Sequence, residues 1–292
     1  MNINHLPNKN IWGQALVDNL INLALAEDTG SGDITTDAIV SQNVKGEAYV
    51  VAKEDMVLSG INVFKKVFQN VSGQWSVVSG QFKERYRDGE IVRSEKIIIE
   101  ISGNMRSLLT AERTALNFLQ RMSGIATLTK KFVDSVKGFK AKIIDTRKTT
   151  PCLRILEKYA VQCGGGINHR FGLYDGILIK DNHIKAAGGI IKAVKRVRDN
   201  APHLIKIEVE TKSLKEVKDA LNCKADVIML DNMDIPAIKK AVKLIDKRAL
   251  IEVSGGVTLK NVSEIAATGV DYISIGALTH SARAVDISME IR

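Results

Sequence analysis

At 292 residues the chain has room for one large α/β domain, or for a barrel with a smaller partner. Hydrophobic residues make up 45% and charged residues 26%, which excludes a disordered polymer, and no apolar run approaches the ~20 residues that span a bilayer. The net charge of +9 invites a nucleic-acid reading, but the cations are spread along the chain and only 7 Phe, 5 Tyr and 2 Trp are present to stack on bases, so the charge is assigned to solvated surface and to attraction of small polyanions.

The N-terminus, MNINHLPNKNIW, lacks the basic-then-apolar layout of a signal peptide. The three cysteines, Cys152, Cys163 and Cys223, form no CxxC pair, and an odd count suits a reducing compartment. A cytoplasmic protein is expected. A helix is predicted through Leu16, Leu20, Leu23 and Leu25, broken at Gly30 and Gly32. That GSG element follows a helix rather than a strand, so it reads as a turn and not as a phosphate loop. Strand-like pieces follow in GEAYVVAKEDMVLSG, QWSVVSG and RSEKIIIEISG, with an Asp-Gly turn at Asp88. The next segment, from Asn104 to Val136, is helical. There Leu109, Leu116 and Leu119 mark one apolar face, and Arg113 falls between Leu109 and Leu116 at i, i+4 and i+3, which places an arginine on an apolar stripe.

From residue 140 the rhythm becomes strand–helix alternation. AKIIDTR, GILIKDN, IKIEVET, DVIMLDN, ALIEVSGG and DYISIGA are six short apolar runs, several of them separated by amphipathic stretches. Too little chain remains for an eightfold barrel. The expected architecture is therefore α/β: an N-terminal open α+β sandwich domain over residues 1–118, then an irregular, incomplete, about six-stranded β/α barrel over 119–292. The C-terminal tail is expected to return to the first domain.

Chemistry concentrates at the strand ends. Alternation puts Lys206, Glu208 and Glu210 on one face of their strand, Glu252 and Ser254 on one face of theirs, and Lys180 with Asn182 likewise. Charges that face a barrel lumen are costly unless paired or ligated, so Lys180, Glu210 and Asp231 at strand ends point to an active site. The stretch from Asp145 to His183 adds Arg147, Lys148, His169 and Arg170. Such a set suits a substrate with several negative charges, since arginine grips flat carboxylates and phosphates with paired hydrogen bonds. Ser254-Gly255-Gly256 and Ile275-Gly276-Ala277 follow adjacent strands, and their backbone amides suit a phosphate.

The segments EDTGSGDITT, AERTALNFLQRMSGIAT, DTRKTTPCLRILEKYAVQCGGGINHRFGLYDGILIKDNH, IEVE, MLDN, SGG and DYISIGALTHSA, in this order, resemble the quinolinate phosphoribosyltransferase family (nicotinate-nucleotide diphosphorylase, carboxylating). Two departures are Cys152 in place of glycine and Gln162 in place of arginine. The resemblance implies a pentosyltransferase that joins quinolinate to phosphoribosyl pyrophosphate and yields nicotinate mononucleotide, pyrophosphate and carbon dioxide, on the de novo route to NAD. It implies that Arg147, His169, Arg170 and Lys180 bind the quinolinate carboxylates, joined by Arg113 from the partner of a homodimer. Thr146 is placed among the substrate contacts. Lys148 would lie near the pyrophosphate and ribose. Glu210 and Asp231 would hold the ribose hydroxyls and, through substrate or water, Mg²⁺. Lys148, Lys180, Glu210 and Asp231 are the expected catalytic residues. Ser254, Gly255, Gly256, Ile275, Gly276 and Ala277 would receive the 5′-phosphate, with His280 near it. Neither nucleic acid nor membrane is expected as a partner. The alternatives are a related phosphoribosyltransferase with a nicotinate-like or other acceptor, a Schiff-base aldolase using Lys180, and a basic nucleic-acid-binding module.

Overall fold

A computed structural model describes residues 11–72 and 81–292; the strand expected within QWSVVSG, residues 74–80, lies outside them. In chain order the elements begin with α1 (Ile11–Thr29), α2 (Ile34–Ile39), β1 (Lys45–Ala52), β2 (Met56–Val57), α3 (Ile61–Ser72), β3 (Gln81–Glu84), β4 (Ile91–Val92) and β5 (Ile97–Asn104). Next come α4 (Met105–Ser135), β6 (Lys142–Ile144), α5 (Arg154–Cys163), β7 (Ile177–Ile179), α6 (Asp181–Ala187) and α7 (Ile190–Asn200). The chain ends with β8 (Ile207–Thr211), α8 (Leu214–Asn222), β9 (Val227–Asp231), α9 (Ile235–Ile245), β10 (Leu250–Ser254), α10 (Val262–Ala266), β11 (Tyr272–Ser274), α11 (Ala277–His280) and β12 (Ile287–Ile291). Two compact units result. One comprises residues 1–128, 150–165 and 281–292, the other 129–149 and 166–280.

The first unit is α+β. Its antiparallel sheet has the order β12-β1-β5-β3, and Ala48 of β1 faces Ile291 on one side and Ile101 on the other. A register shift at Val50/Val51 kinks β1 and lets both of these consecutive residues turn inward. Asp33 caps α2, accepting from the Thr36 amide at 3.0 Å and the Thr36 hydroxyl at 2.6 Å; these bonds hold its carboxyl below the usual range. Helix α4 buries Leu108, Ala111, Ala115, Leu119 and Met122, spaced by three or four residues. Arg113 is exposed and Leu109 only half-buried, so the arginine lies off the buried stripe rather than on it, as the sequence had suggested. The stripe is set by the smaller Ala111 and Ala115, which hydrophobicity alone does not mark. Likewise α1 buries Ile21 and Leu25 and leaves Leu16 and Leu23 exposed.

Helix α5 packs within this unit. Its Glu157 is buried and takes Arg121 of α4 at 2.7 and 3.2 Å, the Thr150 amide at 3.0 Å and the Thr150 hydroxyl at 2.8 Å. The Tyr159 hydroxyl donates to Asp88 at 2.7 Å, and burial pushes the Cys163 thiol up to about 11, which makes it an inert filler. Before α5, Thr150-Pro151-Cys152-Leu153 closes with a 3.1 Å bond from the Leu153 amide to the Thr150 carbonyl. Proline second and a φ of +65° at Cys152 are the marks of a type II turn, whose third position favours glycine. Cys152→Gly is therefore expected to stabilise the protein by roughly 0.5–1 kcal/mol, the left-handed strain relieved less the added chain entropy. Urea unfolding checks it, and a loss of stability would contradict the turn argument. Gln162, the other departure, is exposed.

The second unit holds all six strands expected after residue 140, in one parallel sheet of order β6-β11-β10-β9-β8-β7. Each strand lies beside the next in the chain, except that β6 pairs with β11. This cyclic order is that of a barrel; a doubly wound sheet would reverse at a central strand. The seam falls between β6 and β7, where an isolated bridge joins Ile144 to Ile167. The helix that follows β6 is α5, which belongs to the first unit. Helices α7, α8 and α9 are amphipathic crossovers; α9, for example, buries Ile238, Ala241 and Ile245. Ser213 and Asp234 cap α8 and α9. Two expectations about strand faces fail. Asn182 lies in α6, since β7 stops at Ile179, and Lys206 precedes β8 and is exposed.

Candidate active site

Parallel strands bring their C-terminal ends to one mouth. Registers align Asp231 with Ser254, Ser254 with Ser274, and Ser274 with Ile144. Glu210 lies near the end of β8. The chain leaves β6 through Asp145, which is fully buried and accepts from Asn168 Nδ2 at 2.6 Å and the His169 amide at 2.8 Å. One carboxylate thus ties residues 168–169 to the end of β6 and sets where His169 and Arg170 emerge.

The cationic side follows. Arg170 donates to the Gly176 carbonyl at 2.7 Å, while the Phe171 amide donates to Asp175 at 2.7 Å and tightens that loop. Burial, and then the nearby Arg147 guanidinium, push Arg170 below its usual pKa. The charged form remains, but it is destabilised. Lys180 directly follows β7 as the N-cap of α6; its side chain is exposed and its amide donates to His183 Nδ1 at 3.0 Å. Thr146 accepts from the Lys148 amide at 3.0 Å, and the Thr279 hydroxyl donates to the Lys148 carbonyl at 2.6 Å. A Cβ added to Gly276 would lie 3.1 Å from both Lys148 Cδ and His280 Nε2, so this glycine is what lets the two side chains close over the loop.

The acidic side is crowded. Burial raises the Glu210 pKa, as do Asp231 and Asp181, with Lys180 and Lys212 opposing. Lys212 lies 4.0 Å from Glu210 and 3.0 Å from Asp181. Sequence reasoning missed Lys212, although it follows Glu210 by two at the end of the same strand.

Deeper in the barrel lies a cluster that the strand alternation exposed without assigning it a role. His169 Nε2 is 3.0 Å from Glu208 and 3.7 Å from Glu252, and the Arg170 amide donates to His169 Nδ1 at 2.7 Å. Since Nδ1 accepts, Nε2 carries the hydrogen directed at Glu208. Glu252 is almost fully buried. Desolvation and then the Glu208 charge raise its pKa well above 4.5, opposed by a hydrogen bond with Ser274. A carboxyl with a raised native pKa binds its proton more tightly when folded. Its contribution to stability is full below the unfolded value and is lost as pH rises toward the native one. Against Glu252→Gln, the wild type should therefore lose unfolding free energy at up to about 1.4 kcal/mol per pH unit above pH ~4.5. Urea titrations of both proteins at pH 5 and pH 8 measure this, and a constant gap would refute it.

The two glycine loops are placed as expected at the ends of β10 and β11. Gly255 and Gly256 have φ of +86° and +63°, and Asn261 pins the loop through the Gly256 carbonyl at 3.0 Å. The helical part of the phosphate argument weakens, because α10 begins only at Val262 and α11 is a single turn. What these loops offer an anion is backbone N–H groups. The structure gathers Thr146, Arg147, Lys148, His169, Arg170, Lys180, Glu210, Asp231, Ser254, Gly255, Gly256, Ile275, Gly276 and Ala277 in the second unit, whereas Arg113 belongs to the first.

A six-stranded β/α barrel whose strand ends set guanidinium and ammonium groups against carboxylates and glycine loops defines an enzyme for a small, multiply anionic substrate. The chain belongs to the quinolinate phosphoribosyl transferase family: residues 33–123 match its N-terminal domain and residues 125–290 its C-terminal domain. It is similar to the probable nicotinate-nucleotide pyrophosphorylase [carboxylating] of Bacillus subtilis, 43% identical over 93% of this chain and 92% of that protein. The chloroplastic nicotinate-nucleotide pyrophosphorylase [carboxylating] of Arabidopsis thaliana is 44% identical, over 93% of this chain and 82% of its own. Among solved structures, NadC from Streptococcus pyogenes superimposes with a TM-score of 0.90 at 42% identity, covering 94% of this chain and 96% of that one.

Proposed function

We infer that the protein is a pentosyltransferase that transfers phosphoribose from phosphoribosyl pyrophosphate to quinolinate and releases pyrophosphate and carbon dioxide, a step of de novo NAD biosynthesis. Family membership and the names of the relatives support the reaction. The observation that carries the assignment to this site is that Arg170 is held half-buried in the charged mouth, disfavoured first by burial and then by the positive charge of Arg147. A ligand with two adjacent carboxylates would offset both the burial and the neighbouring charge that disfavour the Arg170 guanidinium.

In this reading Arg147, Arg170 and Lys180 grip the quinolinate carboxylates. His169, whose ring now meets Glu208 and the Arg170 amide, would exchange such a contact to join them. The ring nitrogen's lone pair forms the bond to C1 of the ribose as the C1–O bond breaks, and the electrons of that C1–O bond leave with pyrophosphate. The bond from C2 to its carboxylate then breaks and its electrons enter the cationic ring. Carbon dioxide departs and C2 takes a proton. Holding the nitrogen, C1 and the leaving oxygen in line supplies ~7–11 kcal/mol of the barrier. Lys148, held by Thr279 beside Gly276, faces the leaving pyrophosphate, and the loops at Ser254–Gly256 and Ile275–Ala277 take the 5′-phosphate.

Glu210 and Asp231 suit the ribose hydroxyls and a hard cation. Both are oxygen donors, and the crowded negative charge that raises the Glu210 pKa is only partly offset by Lys180 and Lys212. Mg²⁺ brought with the donor would add positive charge near the pyrophosphate, held by these two acids through substrate or water. The first unit suits a homodimer. Leu23, Ile34 and Ile39 are 67%, 82% and 77% exposed there, and the same unit carries the exposed Arg113, which a partner would deliver to the quinolinate pocket. Three free cysteines agree with a cytoplasmic location, and among the described residues no helix is long and apolar enough to cross a membrane.

The test is to mix the protein with quinolinate, phosphoribosyl pyrophosphate and Mg²⁺ and to follow nicotinate mononucleotide and released carbon dioxide. Both should appear together, and nicotinate in place of quinolinate should give no product. Failure to form the nucleotide, or equal turnover of nicotinate, overturns the reading.

A further inference from the structure

Asn232, directly after Asp231, is one of the few described residues other than glycine with a left-handed backbone, at φ +54°. Asparagine tolerates that conformation better than most side chains. Its amide donates to the Ser254 carbonyl at 2.9 Å, which carries the β9–β10 pairing one step beyond the strand ends. Its side-chain Nδ2 donates to Asp231 Oδ2 at 3.0 Å. The same side chain lies against Gly255: a Cβ there would sit 2.5 Å from Asn232 Cγ and 2.7 Å from Nδ2, closer than real Cβ contacts. On the far side Asn261 holds the loop, through the Gly256 carbonyl at 3.0 Å and the Thr258 amide at 2.8 Å. The glycine loop is therefore gauged from two sides, and the Asn232 side also holds a carboxylate of the mouth.

We propose that Asn232 is a positioning residue that fixes the Asp231 carboxylate relative to the Ser254–Gly256 loop, so that ribose and 5′-phosphate are received at a set spacing. This rests on the reading that Asp231 and that loop take the phosphoribosyl donor. It explains why glycine stands at 255. Beyond the φ of +86°, which already favours glycine, the asparagine amide occupies the space a side chain would need.

The wild-type reaction is measured first, and its absence defeats the functional reading on its own. With activity in hand, Asn232→Gly keeps the left-handed backbone and deletes the amide. It should raise KM for phosphoribosyl pyrophosphate about tenfold, the worth of one hydrogen bond to a charged group, and change KM for quinolinate by less than about twofold. Gly255→Ala should lower kcat/KM for the donor by roughly tenfold to a hundredfold through overpacking. Adding Asn232→Gly to Gly255→Ala should recover part of that loss, because the clash partner is gone. A merely structural role would shift both KM values, or the melting temperature alone. Equal effects on the two substrates, or a double variant no better than Gly255→Ala, overturns the proposal.

Discussion

Arg170→Ala is expected to raise KM for quinolinate by roughly a hundredfold or more, while KM for phosphoribosyl pyrophosphate stays within about twofold. Truncating one partner of a buried, charge-assisted pair costs about 2–5 kcal/mol of binding. The site concentrates that cost on the diacid. Arg170 comes from the loop that Asp145 and Gly176 anchor, whereas the glycine loops come from β10 and β11. Arg170→Lys should recover little, since an ammonium cannot make two parallel bonds to a carboxylate. Arg170→Ala should leave the apo fold no less stable, because burial and Arg147 already disfavour the Arg170 charge that it removes. Initial-rate kinetics varying each substrate in turn decide the matter; matched increases in the two KM values would remove Arg170 from the carboxylate pocket.

The second large effect falls on stability. Arg121→Ala should lower the unfolding free energy by about 3–5 kcal/mol, because it strands the Glu157 carboxylate in the core of the first unit. Glu157 is 1% exposed, and beside Arg121 its carboxylate accepts from the neutral amide and hydroxyl of Thr150. Against a typical total of 5–15 kcal/mol this is a large fraction. Combining Arg121→Ala with Glu157→Gln should restore part of the loss, since the glutamine carbonyl still accepts from Thr150 and no buried charge remains. Urea unfolding of both variants measures this. A double variant weaker than Arg121→Ala alone would show that the carboxylate is held by something other than this pair.

The barrel was legible because each of its six strands is a short, mostly apolar run with polar or glycine-containing sequence at or just past its end, and such runs need no tertiary information to be recognised. The acids and cations at the strand ends followed from period-two alternation, which held for Glu208, Glu210, Glu252 and Ser254. It failed at Asn182, where a helix had already begun, and at Lys206, which precedes its strand. The destination of α5 was not legible, because an amphipathic segment says that it packs but not against which core. Arg113 was set on the wrong face because leucines were counted and the alanines of α4 were not. Asn232 sat in plain view in MLDN, but its left-handed backbone and its approach to Gly255 exist only in three dimensions.

The segmentation of the first unit has a consequence for biosynthesis. Residues 129–149 and 166–280 are all translated before β12, whose ladder with β1 runs from Ala48↔Ile291 to Ala52↔Ile287. On the ribosome the second unit's chain is thus finished while the earliest-made sheet still shows the naked border of β1 to solvent and chaperones. A nascent chain stalled near residue 280 would be vulnerable to proteases at its oldest end rather than its newest.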